Sequence, residues 1–420
     1  MSGDFAPPRG TADLLPPRAE GMRLLVREAW GIATRWGFRT VLTPSLDHTE
    51  IFARTSGETS DVVTKEMYTF EDKAGRSLTL KPEGTASVVR AYLDHRQELP
   101  HPFKAAYVER TWRYGRPQAG RLREFRQFGV EIIGEGAPEA DVEVIALADA
   151  YLRARRLEKL TLQVNSIGDE VCRPPYRETL VAYLDEHREE ICDEHRAVYP
   201  SNPMRVLDCK TAECRAVAAN APVITTALCD PCAEHFDAVR GGLEEAGIVH
   251  EVEPRLVRGL DYYTRTAFEF VSGSLSEAQA TVCGGGRYDG LAEVLGGEST
   301  PGVGFGMGLD RVLIALEAEG RSPEPPPGVA CFVIGIGEGR GIARALVREL
   351  RASGLGADMS YGDRPLKAQL RAADRSGAPY AAIVGEREAR AGVVTMRRLA
   401  DGEQTEVPRE EVAAWITSRG

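Results

Sequence analysis

No stretch of this chain approaches the ~20 apolar residues that a membrane-crossing helix needs. Its opening, Met1-Ser2-Gly3-Asp4, lacks the basic-then-apolar order of a secretion signal. The expectation is a cytoplasmic protein with no membrane partner. Lysine is scarce, 7 against 45 arginines. Compositional bias alone can produce that ratio, so an arginine gains meaning only from its position. Positive charge is in deficit overall, and a net charge of −11 excludes a sequence-blind coat for nucleic acid, though not one localised basic surface. Eight cysteines in 420 residues are too few for a disulfide scaffold. H-E-x-x-H, a Cys–His nucleophile signature and internal repeats are all missing, which removes the zinc-protease, thiol-protease and solenoid classes.

Four of the cysteines stand close together, as Cys209-x4-Cys214 and Cys229-x2-Cys232. Two pairs at this spacing would supply a tetrahedral thiolate site for zinc. Four reduced cysteines in a variable region are the other reading. Cys172, Cys192, Cys283 and Cys331 read as isolated, partly buried small residues.

With 43% hydrophobic and 27% charged residues the chain is an ordinary globular one, long enough for two or three domains. Arg321-Ser322-Pro323-Glu324-Pro325-Pro326-Pro327-Gly328 sets the clearest boundary, because prolines so dense join neither a helix nor a central strand. The organisation expected is residues 1–322, a stiff linker at 323–328, and a tail at 329–420. The tail carries 14 basic and 12 acidic side chains, so a polyanion would be repelled least there.

Periodicity predicts a helix over 16–36, with Leu24, Leu25, Ala29, Ile32, Ala33 and Trp36 at helical spacing, and Gly37 as its stop. A strand at 38–43 closes at Pro44. Strand-like runs follow at 67–81, 103–114 and 123–133, then a helix at 139–156. Residues 165–250 break this pattern with a helix-rich insertion. Strands return at 265–272 and 281–283, and a glycine-rich strand leads into a helix across 302–318. Strands joined by short turns imply an antiparallel sheet flanked by helices, an α+β fold. The tail alternates strand and helix, which implies a small α/β domain with mainly parallel pairing.

Three constellations carry chemistry. Gly335-Ile336-Gly337-Glu338-Gly339-Arg340-Gly341 suggests a dinucleotide loop, but the spacing fails at Arg340, and 92 residues are few for that fold. Gly302-Val303-Gly304-Phe305-Gly306-Met307-Gly308-Leu309 puts glycines on one strand face and apolar side chains on the other. A face without side chains suits a flat ligand such as adenine, or else close packing of a helix. Arg311 follows it, apt for phosphate. Residues 107–132 read as strand, cationic loop, strand, the loop carrying Arg116, Arg121 and Arg123. Odd positions Arg113, Gln127, Gly129 and Glu131 would share a face suited to an anion beside an ammonium group.

These segments resemble the class II aminoacyl-tRNA synthetases nearly end to end. Residues 16–44 resemble motif 1, 107–131 motif 2, and 302–318 motif 3. Leu256-Val257-Arg258-Gly259-Leu260-Asp261-Tyr262-Tyr263-Thr264, Gly284-Gly285-Gly286-Arg287-Tyr288-Asp289-Gly290 and Pro82-Glu83-Gly84-Thr85 narrow the resemblance to the bacterial histidyl-tRNA synthetases. The resemblance implies a six-stranded antiparallel sheet flanked by helices, a helical insertion and an anticodon-binding α/β domain. It implies ATP with Mg2+ and L-histidine as substrates, tRNA(His) as partner, and a homodimer through motif 1. Glu83, Thr85, Gln127 and Glu131 would hold the amino acid, and Tyr262 and Tyr263 the imidazole. Arg113 and Arg311 would grip ATP phosphates above Gly304 and Gly306, and Arg258 would stabilise the α-phosphate under attack. Gly115 stands where motif 2 usually has glutamate. The rival reading is the non-catalytic, histidine-sensing paralogue that regulates ATP phosphoribosyltransferase, which normally lacks the tail and erodes the arginines. A third, a tRNA-binding scaffold without activity, leaves the histidine-pocket residues unexplained.

Overall fold

The computed structural model describes residues 5–56, 62–116, 121–207, 209, 211–260, 262–276, 279–324 and 328–419. Part of the proline run, 325–327, lies outside them, as do residues 117–120 of the cationic loop and Asp261. The chain forms two compact units, Met1–Pro323 and Glu324–Gly420.

Helix α1 (Arg18–Arg35) follows Pro17, carries Glu20 in its first turn, and ends at Gly37, whose φ is +79°. Met22, Leu25, Ala29, Ile32 and Ala33 are its buried stripe. After it come β1 (Arg39–Thr40), β2 (Leu46–His48), α2 (Thr49–Ser56), β3 (Tyr68–Glu71), β4 (Ser77–Leu80), α3 (Thr85–His95), β5 (Phe103–Trp112), β6 (Glu124–Ile133), α4 (Pro138–Ala154) and β7 (Leu160–Ser166). The insertion supplies α5 (Arg173–Glu186), α6 (Asp193–Val198), α7 (Met204–Leu207), α8 (Ala212–Ala218) and α9 (Asp230–Glu245). The unit closes with β8 (Glu251–Val252), β9 (Thr264–Ser272), β10 (Thr281–Arg287), α10 (Leu291–Val294), β11 (Gly302–Gly308) and α11 (Leu309–Ala318).

The main sheet runs β1-β5-β6-β11-β10-β9-β7-β8. Its six inner strands, β5 to β7 in that order, pair antiparallel throughout. Two short edge strands, β1 and β8, add to them in parallel, so the sheet has eight strands rather than six. The strand read over 38–43 ladders only at Arg39–Thr40. Beyond it the Thr43 N–H donates to the Glu109 side chain (2.7 Å), and Pro44 has no N–H to offer. The run at 67–81 folds into a hairpin, because Asp72 Oδ1 accepts from the N–H groups of Ala74 and Arg76 and starts a turn.

One face of the sheet packs on α1, α4, α9 and α11. Val303, Phe305 and Met307 of β11 point into that core, with Phe305 edge-on to Phe128 at 5.4 Å. Burying a side chain such as Phe305 is worth about 2–3 kcal/mol. The other face, walled by α3, carries the polar residues.

The second unit comprises β12 (Cys331–Gly335), α12 (Gly339–Ala352), β13 (Ala357–Met359), α13 (Leu366–Ser376), β14 (Tyr380–Val384), α14 (Glu386–Ala391), β15 (Val393–Arg398), β16 (Gln404–Pro408) and α15 (Val412–Thr417). Its sheet, β13-β12-β14-β15-β16, is parallel over the first three strands and antiparallel over the last two pairings. The expected mainly parallel pairing is therefore only half of it. β16 escapes sequence reading because a polar edge strand, Gln-Thr-Glu-Val-Pro, carries no two-residue apolar period.

Candidate active site

On the polar face the strands surround a cavity of about 290 Å3. Glu83, Thr85, Gln127, Tyr262 and Tyr263 line it together with Arg113, Arg121, Arg258, Arg311, Gly306 and Gly308. Residues from 83 to 311 thus meet because α3, β6, β10, β11 and α11 end or cross at this place, with the loops after β5 and before β9.

Glu83 precedes α3 and accepts from the N–H groups of Thr85 (2.7 Å) and Ala86 (2.9 Å), where the positive end of the helix favours a carboxylate. Burial nevertheless raises its pKa. Tyr262 and Tyr263 sit with ring centroids 4.6 Å apart, and both are buried. Gln127 projects from β6, and its Oε1 is buried without a hydrogen-bond partner. A buried acceptor left open in a cavity is a place for a ligand donor.

Glu131 and Gly304 do not line this cavity. Glu131 is fully buried beneath it and accepts hydroxyl hydrogen bonds from Thr85 (2.7 Å), Tyr107 (3.1 Å) and Tyr288 (2.5 Å). Burial pushes its carboxyl up to about 8 against the pull of the Tyr288 and Thr85 hydroxyls.

The glycines of β11, two of which line the cavity, also make room for side chains of the neighbouring strand. Gly304 pairs with Glu131 and Gly306 with Gln127 across the β11–β6 ladder. A Cβ at 304 would lie 2.6 Å from the Glu131 Cδ, and one at 306 would lie 3.0 Å from the Gln127 Cδ. These glycines let the side chains of β6 fold over the neighbouring backbone. Gly284 does the same for Arg258, whose Cζ would sit 2.9 Å from a Cβ there.

Arg258 pairs with Glu269 and stacks over the Tyr263 ring at 5.1 Å. Burial opposes its charge, but Tyr263 and Glu269 outweigh that, and its pKa rises. Glu269 in turn accepts from the Thr281 hydroxyl (2.7 Å). Arg113 donates to the Pro82 carbonyl (2.8 Å) and Arg311 to the Thr281 carbonyl (2.6 Å). Burial, then the like charges of Arg113 and Arg121, depress the Arg311 pKa. Crowded cations of this kind draw in an anion. Arg113 does not belong to β5, which ends at Trp112, so it reaches the cavity from the loop rather than from the shared strand face.

Sequence reading missed Tyr107, Tyr288, Glu66 and Glu269. Glu269 left a signal, an acid inside the apolar strand Ala267-Phe268-Glu269-Phe270-Val271. Glu66 left none. It pairs with Arg121, and its Oε1 lies 3.1 Å from where a Cβ at Gly115 would stand. A carboxylate from a distant segment occupies the space beside the side chain that residue 115 lacks.

The four cysteines 209, 214, 229 and 232 do not converge, which corrects the single zinc site read from their spacing. Cys209 and Cys214 gather with Cys192 and His195, whereas Cys229 and Cys232 gather with Asp169 and Cys172. Cys172 and Cys192 are therefore not isolated. Cysteines near in sequence are parted because the segment from the end of α7 into α8 carries Cys209 and Cys214 into the insertion core, while α9 starts beside Asp169 and Cys172, just past the end of β7.

Comparison with known proteins fits this geometry. The family described as histidyl-tRNA synthetase matches residues 10–312, and the anticodon binding domain matches 330–419. The histidine–tRNA ligase of Moorella thermoacetica is 48% identical over 403 residues, 96% of this chain and 95% of that one. That of Caldanaerobacter subterraneus is 45% identical over 407 residues, 96% of this chain and 97% of that one. The crystal structure of apo histidyl-tRNA synthetase from S. aureus, 34% identical, superposes with a TM-score of 0.82 and covers 98% of this chain and 99% of that one. The chain belongs to the histidyl-tRNA synthetase family.

Proposed function

We propose that the cavity takes histidine at its tyrosine end and ATP at its arginine end, making this chain a histidine–tRNA ligase. The convergence of Arg113, Arg258 and Arg311 with Glu83, Gln127 and the tyrosine pair around one cavity carries the reading. Glu83 and the open Gln127 Oε1 accept hydrogen bonds from the substrate ammonium. Tyr262 and Tyr263 face the imidazole, and Glu131 anchors the floor through Tyr288 and Thr85. A pocket built to hydrogen-bond a side chain rejects apolar analogues by roughly 10⁴–10⁵.

The histidine carboxylate oxygen attacks the α-phosphorus of ATP, forming the acyl–phosphate bond as the bond to pyrophosphate breaks. A ribose hydroxyl at the tRNA 3′ end then attacks the acyl carbon and AMP leaves. Neither step needs a protein nucleophile; positioning and charge stabilisation suffice. Arg113 and Arg311 hold phosphates, and Arg258 meets the charge that grows on the α-phosphate. Mg2+ comes with ATP, whose phosphate oxygens are its natural ligands. Among the described wall residues, Glu66 and Asp310 are already committed to Arg121 and Arg126.

The tail serves the anticodon side of tRNA(His), and the protein works in the cytoplasm as a homodimer through residues 16–44. Leu42, 76% exposed just before Pro44, supports such an interface. The reading of a non-catalytic regulator fits less well, since Arg113, Arg258, Arg311 and the second unit are all present. Histidine-dependent exchange of pyrophosphate into ATP tests the function; absence of both exchange and charged tRNA sinks it.

A further inference from the structure

The insertion rests on short helices. α6, α7 and α8 have 6, 4 and 7 residues, far below the length at which a helix holds in water alone. Where they meet, four side chains crowd together. Cys192 Sγ is 3.4 Å from Cys214 Sγ, 3.9 Å from Cys209 Sγ and 3.1 Å from His195 Nδ1. All four donor atoms lie within 4.8 Å of one another. A disulfide has its sulfurs about 2.05 Å apart. A tetrahedral zinc with Zn–S bonds near 2.3 Å instead sets its sulfurs about 3.8 Å apart.

The surroundings favour bound thiolates. The Cys192 N–H points at Cys214 Sγ (3.3 Å), and the Thr211 hydroxyl lies 3.4 Å from Cys209 Sγ. Each ligand comes from a different place on the framework: Cys192 just before α6, His195 in its first turn, Cys209 after α7, Cys214 in the first turn of α8. Three soft sulfurs and an imidazole select zinc over hard cations.

We propose that Cys192, His195, Cys209 and Cys214 bind one structural Zn2+ that ties α6, α7 and α8 together. The second cluster is built otherwise. Its Asp169 already accepts from the Val171 and Cys172 N–H groups and faces Arg265 at 3.6 Å. The proposal is independent of the catalytic reading, although His195 and Cys209 also wall an 800 Å3 cavity that Arg258 borders.

The test uses the full chain purified without chelator. Elemental analysis should give zinc, and Cys209→Ser with Cys214→Ser should lose about one equivalent per chain, as a four-ligand site requires. Cys229→Ser with Cys232→Ser should keep that equivalent. Because the first double variant can fail to fold, the unaltered protein is also alkylated. Cys192, Cys209 and Cys214 should be protected together and exposed together by a zinc chelator. Cobalt uptake should give the visible bands of a tetrahedral thiolate site. A chain that contains no zinc and takes up none, full retention by Cys209→Ser/Cys214→Ser, or a Cys192–Cys214 disulfide in the native protein would each overturn the assignment.

Discussion

At the scale of single residues, the site's chemistry depends on groups that burial has moved away from their ordinary behaviour. Arg258, fixed by Glu269 and Tyr263, is proposed to act where charge develops, so Arg258→Ala should slow adenylate formation by about 10²–10³. Histidine affinity should change far less, and Arg258→Lys should restore part of the rate, since lysine supplies charge without the planar fork. Single-turnover formation at saturating ATP decides this; normal turnover with weak histidine binding would count against it. Glu131 gives a stability signature. Its carboxyl titrates at about 8 when folded and in the ordinary carboxylate range when unfolded. Between those values the folded chain holds the extra proton, so Glu131 favours folding at low pH and that contribution is lost as pH rises through about 8. Glu131→Gln should flatten this part of the urea midpoint's pH dependence. An unchanged slope would mean that the carboxyl is ionised throughout.

At the scale of elements, one strand gives up its own side chains so that the next can reach across it. Gly306→Ala should push the Gln127 amide aside and raise the KM for histidine well before it affects ATP. Gly304→Ala, meeting the Glu131 carboxylate, should cost about 1–3 kcal/mol of stability as overpacking. Urea unfolding and histidine titration of the two variants separate these outcomes; equal effects on both measurements would refute the division of labour. Elements were the most legible part of the sequence. α1, β5, β6 and β11 lie within about two residues of where periodicity puts them, because each carries its own apolar stripe. What could not be read depends on contacts between distant segments. Glu109 and Lys81, which both hydrogen-bond Thr43, end the motif 1 strand early, Tyr107 and Tyr288 reach Glu131 from β5 and from beyond β10, and the cysteines divide between two clusters. Spacing along a chain holds no record of such meetings.

At the scale of the whole molecule, the two units divide at Pro323–Glu324, and every residue around the cavity precedes that point. A chain ending at Pro323 should keep most of its pyrophosphate exchange and lose most of its tRNA charging. Parallel loss of both would mean that the second unit supports the fold of the first. The family and its fold were legible from the motifs; the thiol clusters and the parallel edge strands were not.

The pairing of Glu66 with Arg121 beside Gly115 also constrains how this site can change. Gly115→Glu alone would set a second carboxylate against Glu66, and Glu66→Gln alone would leave Arg121 without its counter-ion. Each substitution should be harmful singly, whereas the two together should restore one carboxylate to one guanidinium. Such a pair is sign-epistatic, so the route between the two arrangements crosses a less fit intermediate, and a double-mutant cycle on ATP affinity would measure the depth of that valley.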